Sequence, residues 1–208
     1  MVYRTDIVEV NSGIVAVTFR GDPYELRTYN INATGVISVL DSFDHESDTV
    51  YDGTLVKVDN DTIALSFYQS VTHIGIIKTF DIDSNGDITL NQSFINGEKY
   101  AHEADLINLD NEIFVMISRT GDTWALLSVF NITNNGIITE IHNEIIETET
   151  TNNPSIVPIS SDVVAVAYTH RVIDNDYINV LKTFSIEKIE TLYITNGTSN
   201  LYMCVPVE

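Results

Sequence analysis

One three-residue step recurs along the chain and fixes what it can become. Tyr29-Asn30-Ile31, Phe80-Asp81-Ile82, Phe130-Asn131-Ile132 and Phe184-Ser185-Ile186 repeat an aromatic-polar-isoleucine pattern at intervals of 51, 50 and 54 residues. Three of the four run on into a turn that ends in Gly35, Gly86 or Gly136; the fourth has no glycine between Ile186 and Ile189. Self-similarity at a fixed period of this length marks tandem supersecondary units that bury their apolar flanks against one another.

Each unit reads as four short strands. An opening strand, such as Asp6–Val10 or Asp105–Leu109, ends in a polar hairpin signal such as Asn11-Ser12-Gly13. The second strand is nearly continuous in apolar residues, as in Val163-Val164-Ala165-Val166-Ala167, which predicts cover on both faces. The third carries the aromatic step. The fourth alternates polar with apolar and is expected to be outermost. Four antiparallel strands per unit with no helical period between them predict an all-β chain, a β-propeller of four four-stranded antiparallel blades at about 5–44, 53–94, 104–142 and 154–194. Val205-Pro206-Val207 echoes Val157-Pro158-Ile159, so 200–208 is expected to be a strand that closes the ring or opens a fifth blade. Closure as a monomer is the preferred expectation, and a dimer sharing a larger ring the alternative.

The opening strands, the Gly13–Val17 segment, the Lys-Thr-Phe-x-Ile runs at Lys78–Ile82 and Lys182–Ile186, and the glycine turns together resemble the propeller repeats of surface and secreted proteins of archaea and bacteria. That resemblance implies an extracellular or cell-surface module for binding or adhesion, and implies no particular substrate.

Charge removes several classes of partner. Ten basic against thirty acidic residues give a formal charge of −20, which repels nucleic-acid phosphates and anionic lipid alike. No apolar run reaches the length of a membrane helix and no leader sequence opens the chain. Cys204 is the one cysteine, so no internal disulfide can form, and its simplest role is a small apolar side chain. Five Asn-x-Ser/Thr triplets, at Asn32, Asn60, Asn91, Asn131 and Asn196, are glycan acceptors if the chain is secreted and ordinary turn chemistry otherwise.

Several short motifs can be weighed. Asp81-x-Asp83-x-Asn85-Gly86-Asp87 has the alternating oxygen donors of half a calcium loop, but Gln92 stands where the closing carboxylate belongs. The equivalent turns at Asn30–Gly35 and Asn131–Gly136 carry too few carboxylates for an ion, so a structural turn is preferred. Arg20-Gly21-Asp22 spells an integrin-type tripeptide, yet Arg119-Thr120-Gly121-Asp122 occupies the same loop and points to shared turn chemistry. The five histidines show no metal-ligand pair and no Ser-His-Asp order, so no catalytic residue and no metal ligand is nominated.

The repeat alignment nominates one polar set. Asp6, Thr54, Asp105 and Ser155 share a position near the axial mouth of each blade, where a ring of oxygens could hold a cation or a water column. Asp52, His102, Glu103 and Asn153 lie just upstream and are the candidate ligand contacts. Mutual capping of these groups is the simpler reading. Tyr24, Tyr51, Tyr68, Tyr100, Tyr168 and Tyr177 fall near strand ends, where rings stack on sugars or fill space between sheets. The functional expectation is a non-enzymatic module that recognises a protein or glycan through its loops. Its alternatives are a lectin with one site per repeat, and a glycoside-acting enzyme, for which the sequence nominates no facing carboxylate pair and which hydrolysis lost on mutating Glu103 or Asp105 would revive.

Overall fold

A computed structural model describes residues 5–19, 24–47, 49–96, 102–121, 123–171, 177–187, 193–196 and 201–203. Among them every regular element is a strand. The first sheet contains β1 (Ile7–Asn11), β2 (Ile14–Phe19), β3 (Tyr24–Ile31) and β4 (Ile37–Glu46). The second contains β5 (Val50–Lys57), β6 (Thr62–Gln69), β7 (Ile74–Ile82) and β8 (Ile88–Ile95), and the third β9 (His102–Asp110), β10 (Ile113–Arg119), β11 (Ala125–Ile132) and β12 (Ile138–Glu147). The fourth is built from β13 (Thr151–Pro158), β14 (Val163–Arg171), β15 (Tyr177–Glu187), β16 (Tyr193–Asn196) and β17 (Leu201–Met203). Consecutive strands pair antiparallel through the first three sheets and from β13 to β16 in the fourth, so the four expected repeats become four separate sheets.

The fourth sheet departs from the other three. β16 and β17 both pair with β15, opposite Phe184–Glu187 and Asn179–Leu181 respectively. Residues 201–203 of the expected closing segment therefore extend the outer edge of their own sheet, while 204–208, including Cys204, lie outside the described residues, as do Arg20, Gly21 and Asp22.

The chain divides into two compact units, Met1–Lys99 with Ile132–Ile138, and Tyr100–Asn131 with Thr139–Glu208. In the first unit the β1–β4 and β5–β8 sheets enclose Val10, Leu26, Leu55, Leu65, Phe67, Phe80 and Ile82. Phe80, from the repeated step, meets Phe43 edge to face at 5.6 Å. In the second unit Leu109, Val115, Leu127, Val129, Ile156, Val166, Phe184 and Ile186 form the corresponding core. Burying rings of this size contributes about 2–3 kcal/mol each, which is why the step can set the register.

Hydrogen bonds at repeat positions also join consecutive sheets. In the first unit Thr28 Oγ1 donates to Gly86 O at 2.5 Å and Thr79 Oγ1 donates to Gly136 O at 2.6 Å. Gly86 and Gly136 have φ of +90° and +73°, which favours glycine. A side chain there would also collide, since a Cβ on Gly86 falls 2.8 Å from Leu40 Cβ and one on Gly136 falls 2.7 Å from Asn91 Nδ2. Val129 takes the threonine's place in the third repeat, and the fourth repeat has no glycine to receive it.

The expectation of two-sided cover holds for β6 and the middle of β10, whose residues are buried on both faces. It needs correction for β14, which buries Val164, Val166 and Tyr168 and leaves Ala165 and Ala167 more open. An apolar run reports capacity for burial; cover depends on a neighbouring sheet.

Candidate functional site

The opening strands carry an irregularity at one repeat position. Pairing slips between Tyr51 and Thr54 in β5, between His102 and Asp105 in β9, and between Asn152 and Ser155 in β13. Such bulges bend a strand and re-aim its side chains. In β9 and β13 the bulge places Glu103 and Asn153 in left-handed backbone conformation, at φ of 53° and 48°. For residues with a Cβ this costs about 1–3 kcal/mol unless the surroundings hold it. Here they do. Glu103 Oε2 accepts a hydrogen bond from Asn153 N at 2.6 Å.

Arg119, the last residue of β10, completes the cluster in the second unit. Its Nη2 lies 3.5 Å from Glu103 Oε1, and its Nη1 donates to Asn152 Oδ1 at 3.1 Å. Thr169 Oγ1 donates to Asn152 O, fixing the strand that carries the amide. The Arg119 Nε is buried without a hydrogen-bond partner. The register that pairs Arg119 with Ala125 puts Trp124 at the same end of the sheet, half-buried. Thr120 N donates to Trp124 O, Trp124 N donates to Thr120 Oγ1, and Thr151 N ties down Thr123, itself at φ 73°.

The structure brings candidate residues of adjacent repeats into direct contact, Glu103 with Asn153 and Asp105 with Ser155. Asp105 Oδ2 accepts from Ser155 Oγ at 2.9 Å and from Ile156 N at 3.1 Å. Asp6, its equivalent in the first unit, accepts from Leu55 N through Oδ2 at 2.8 Å, beside the buried Thr54. These carboxylates fasten one opening strand to the next. His102 lies opposite Arg119 and is half-buried, and the Asp52 side chain is outside the described residues. Arg119 and Asn152 were missing from the candidate set. The available signal was a basic residue ending a second strand in a chain with only ten lysines and arginines.

The calcium-like turn uses its oxygens internally. Asp83 Oδ1 accepts from Asn85 N and Asp87 N, and these bonds hold the Asp83 carboxyl below its usual range against the pull of desolvation. Asn32 Oδ1 makes the same bonds to Thr34 N and Val36 N without a charge. Asp81 Oδ1 accepts from Thr62 Oγ1 and Asn91 Nδ2. Among the described residues no group of three His, Cys, Asp or Glu side chains is placed to hold a metal ion. Of the tyrosines at strand ends, Tyr24, Tyr68 and Tyr168 are buried between strands, Tyr51 stacks on Tyr68, Tyr177 is exposed, and Tyr100 lies outside the described residues.

No family model matches the chain, and no curated protein matches it in sequence. Among solved structures it is similar to AofleA from Arthrobotrys oligospora, solved as a triple arginine-to-alanine mutant, with 11% identity and a TM-score of 0.49 over 96% of this chain. The chain spans 58% of that protein's length. A protein of unknown function from Bacteroides fragilis is similar at 8% identity and a TM-score of 0.36, with 91% of each chain covered.

Proposed function

We propose that the four sheets are blades of a propeller and that the chain is a non-enzymatic binding module, acting at or outside the cell surface, which recognises a glycan at the Arg119 end of its second unit. The observation that carries this is the Arg119 cluster. A guanidinium gripped by Glu103 and Asn152, next to two residues held in left-handed conformation, presents fixed donors and acceptors at the end of a rigid sheet. Paired sugar hydroxyls need that combination of fork-shaped donor, carboxylate and amide. Trp124 supplies an apolar ring for the C–H face of the sugar. Glu103 and Asp105 each accept a main-chain N–H, which supports a role for them in holding the binding end in shape.

A glycan array followed by calorimetric titration of the best hit tests the reading. Arg119→Ala is expected to weaken binding by roughly 10–100-fold, the cost of a charged hydrogen bond. Absence of any glycan hit, or unchanged affinity in Arg119→Ala, sinks it.

A further inference from the structure

Four repeat positions face the space between the sheets of a unit, and each is open in either the first sheet or the fourth. Position by position, Ile7 corresponds to Leu55, Leu106 and Ile156; Ile37 to Ile88 and Ile138; Ile159 to Val10, Val58 and Leu109; and Leu181 to Leu26, Ile77 and Leu127. All eleven inner residues are exposed by 8% or less, whereas Ile7 is exposed by 59%, Ile37 by 63%, Ile159 by 62% and Leu181 by 44%. Ile7 and Ile37 occupy the positions that meet a preceding sheet, and Ile159 and Leu181 those that meet a following one. The first sheet thus lacks a predecessor, and the fourth lacks a successor.

The polar groups follow the same logic. Thr183 is the repeat equivalent of Thr28 and Thr79, which donate to the glycine carbonyl of the next sheet. It stands half-exposed on the fourth sheet. Gly35 is the equivalent of the receiving Gly86 and Gly136, yet a Cβ added there meets nothing within 4 Å. One face carries the donor and apolar knobs, the other the carbonyl and the glycine seat.

We infer that these faces are two halves of one interface and that a second copy of this chain covers them, the fourth sheet of each copy packing on the first sheet of the other. The contact continues the sheet-on-sheet packing already made inside each unit, in the same register and with the same residue types. Self-association of this head-to-tail kind closes with two identical contacts. The eight sheets so joined lie within the range of about four to eight that propellers reach. The dimer that shares a larger ring is thereby taken in preference to the self-contained ring. Each copy carries a charge of −20, so association is expected to strengthen as salt screens the repulsion.

Mass in solution, measured by light scattering from low to high micromolar concentration, tests the inference. The expected mass is twice the 23.2 kDa of one chain, rising in population with salt. Ile37→Glu spoils the first-sheet face and Leu181→Glu the fourth-sheet face, and each variant alone is expected to be a monomer with an unchanged far-UV spectrum. Mixed in equal amounts, they retain one intact pair of faces and are expected to associate again, about 100-fold more weakly than the parent because one contact replaces two. Should either variant fail to fold, Ile7→Glu and Ile159→Glu address the same faces. A 23.2 kDa mass for the parent chain under all conditions overturns the inference, as does a dimer that survives either single variant. Variants that stay monomeric when mixed also overturn it, since they indicate like faces pairing with like.

Discussion

The two units make the same inter-sheet tie with different surroundings. In the first, Lys78 reaches the His45 carbonyl and lies 3.5 Å from Glu46, with its ammonium 5.4 Å from the Phe67 ring centre. In the second, Lys182 donates to the Ile146 carbonyl and lies 3.5 Å from Glu147, 5.7 Å from the Tyr168 ring centre. The positions correspond one to one, His45 to Ile146 and Phe67 to Tyr168. Yet the supports differ. Glu147 also meets His170 at 3.3 Å and accepts from the Tyr168 hydroxyl at 3.2 Å. Burial raises the Glu147 pKa, but Lys182 and His170 outweigh it and hold the carboxyl below its usual value of 4.5. No such hydroxyl occupies the position of Tyr168 in the first unit, where the Phe67 ring lies tilted, 5.2 Å from the His45 ring. One repeat device has therefore been set once in an apolar surround and once in a polar network.

The widest separation between the units is expected from removing the cation. Lys78→Ala takes the cation from Glu46, which keeps only the N–H of Ser47, and the ammonium donor from the His45 carbonyl, and is expected to cost on the order of 3 kcal/mol. Lys182→Ala leaves Glu147 still held by His170 and Tyr168 and is expected to cost about 1 kcal/mol. Urea denaturation of both variants checks the order, and equal losses would break the comparison.

Next in size is a difference in pH response. Burial holds the His45 pKa down at about 4 from its usual 6.5, with Lys78 adding to the effect. Below pH 6.5 the unfolded chain takes up a proton that the folded chain refuses. Stability is therefore complete above 6.5, and on the order of 3 kcal/mol is lost as pH falls towards 4. His45→Ile, which copies the second unit, is expected to flatten that slope in denaturation midpoints measured from pH 7 to 4. The carboxylate of Glu147 works in a different window, contributing stability above its usual 4.5 that is lost as pH falls through its depressed folded value. Glu147→Gln is accordingly expected to change the acid limb alone. A slope between pH 6.5 and 4 that survives His45→Ile would assign the effect elsewhere.

The smallest expected effect comes from Thr28→Val, which removes the bond to Gly86 O and the longer one that Thr28 Oγ1 accepts from Asp41 N, and copies Val129, the residue that the third repeat already carries there. About 1 kcal/mol is expected, and a shift in the urea midpoint without a change in slope would locate the loss in the folded state.

Much of the fold could be read before any coordinates. The aromatic-polar-isoleucine step announced the period because its ring and its isoleucine are core residues in three repeats, and the polar hairpins marked the strand ends. The candidate site was legible only in outline. Glu103, Asp105, Asn153 and Ser155 were nominated by alignment, but an aligned carboxylate carries no sign of whether it awaits a ligand or clasps a neighbouring main-chain N–H. Arg119 escaped because its value comes from a bulge in the facing strand, a backbone event without a residue signature. The open faces were invisible for a plainer reason. Ile7, Ile37, Ile159 and Leu181 are the same kinds of residue as their covered counterparts, so nothing in their chemistry distinguishes an end from a middle.

The threonine-to-glycine bonds between sheets carry a consequence for how such a chain can grow. Because donor and acceptor belong to different repeats, a copy of the second repeat inserted after itself would keep every bond, offering its own Thr79 and receiving through its own Gly86. A copy of the third repeat in the same place would bring Val129 and leave the following carbonyl unclaimed. Lengthening by duplication is thus permitted at some seams and penalised at others, and the order of modules is written into single hydroxyl groups.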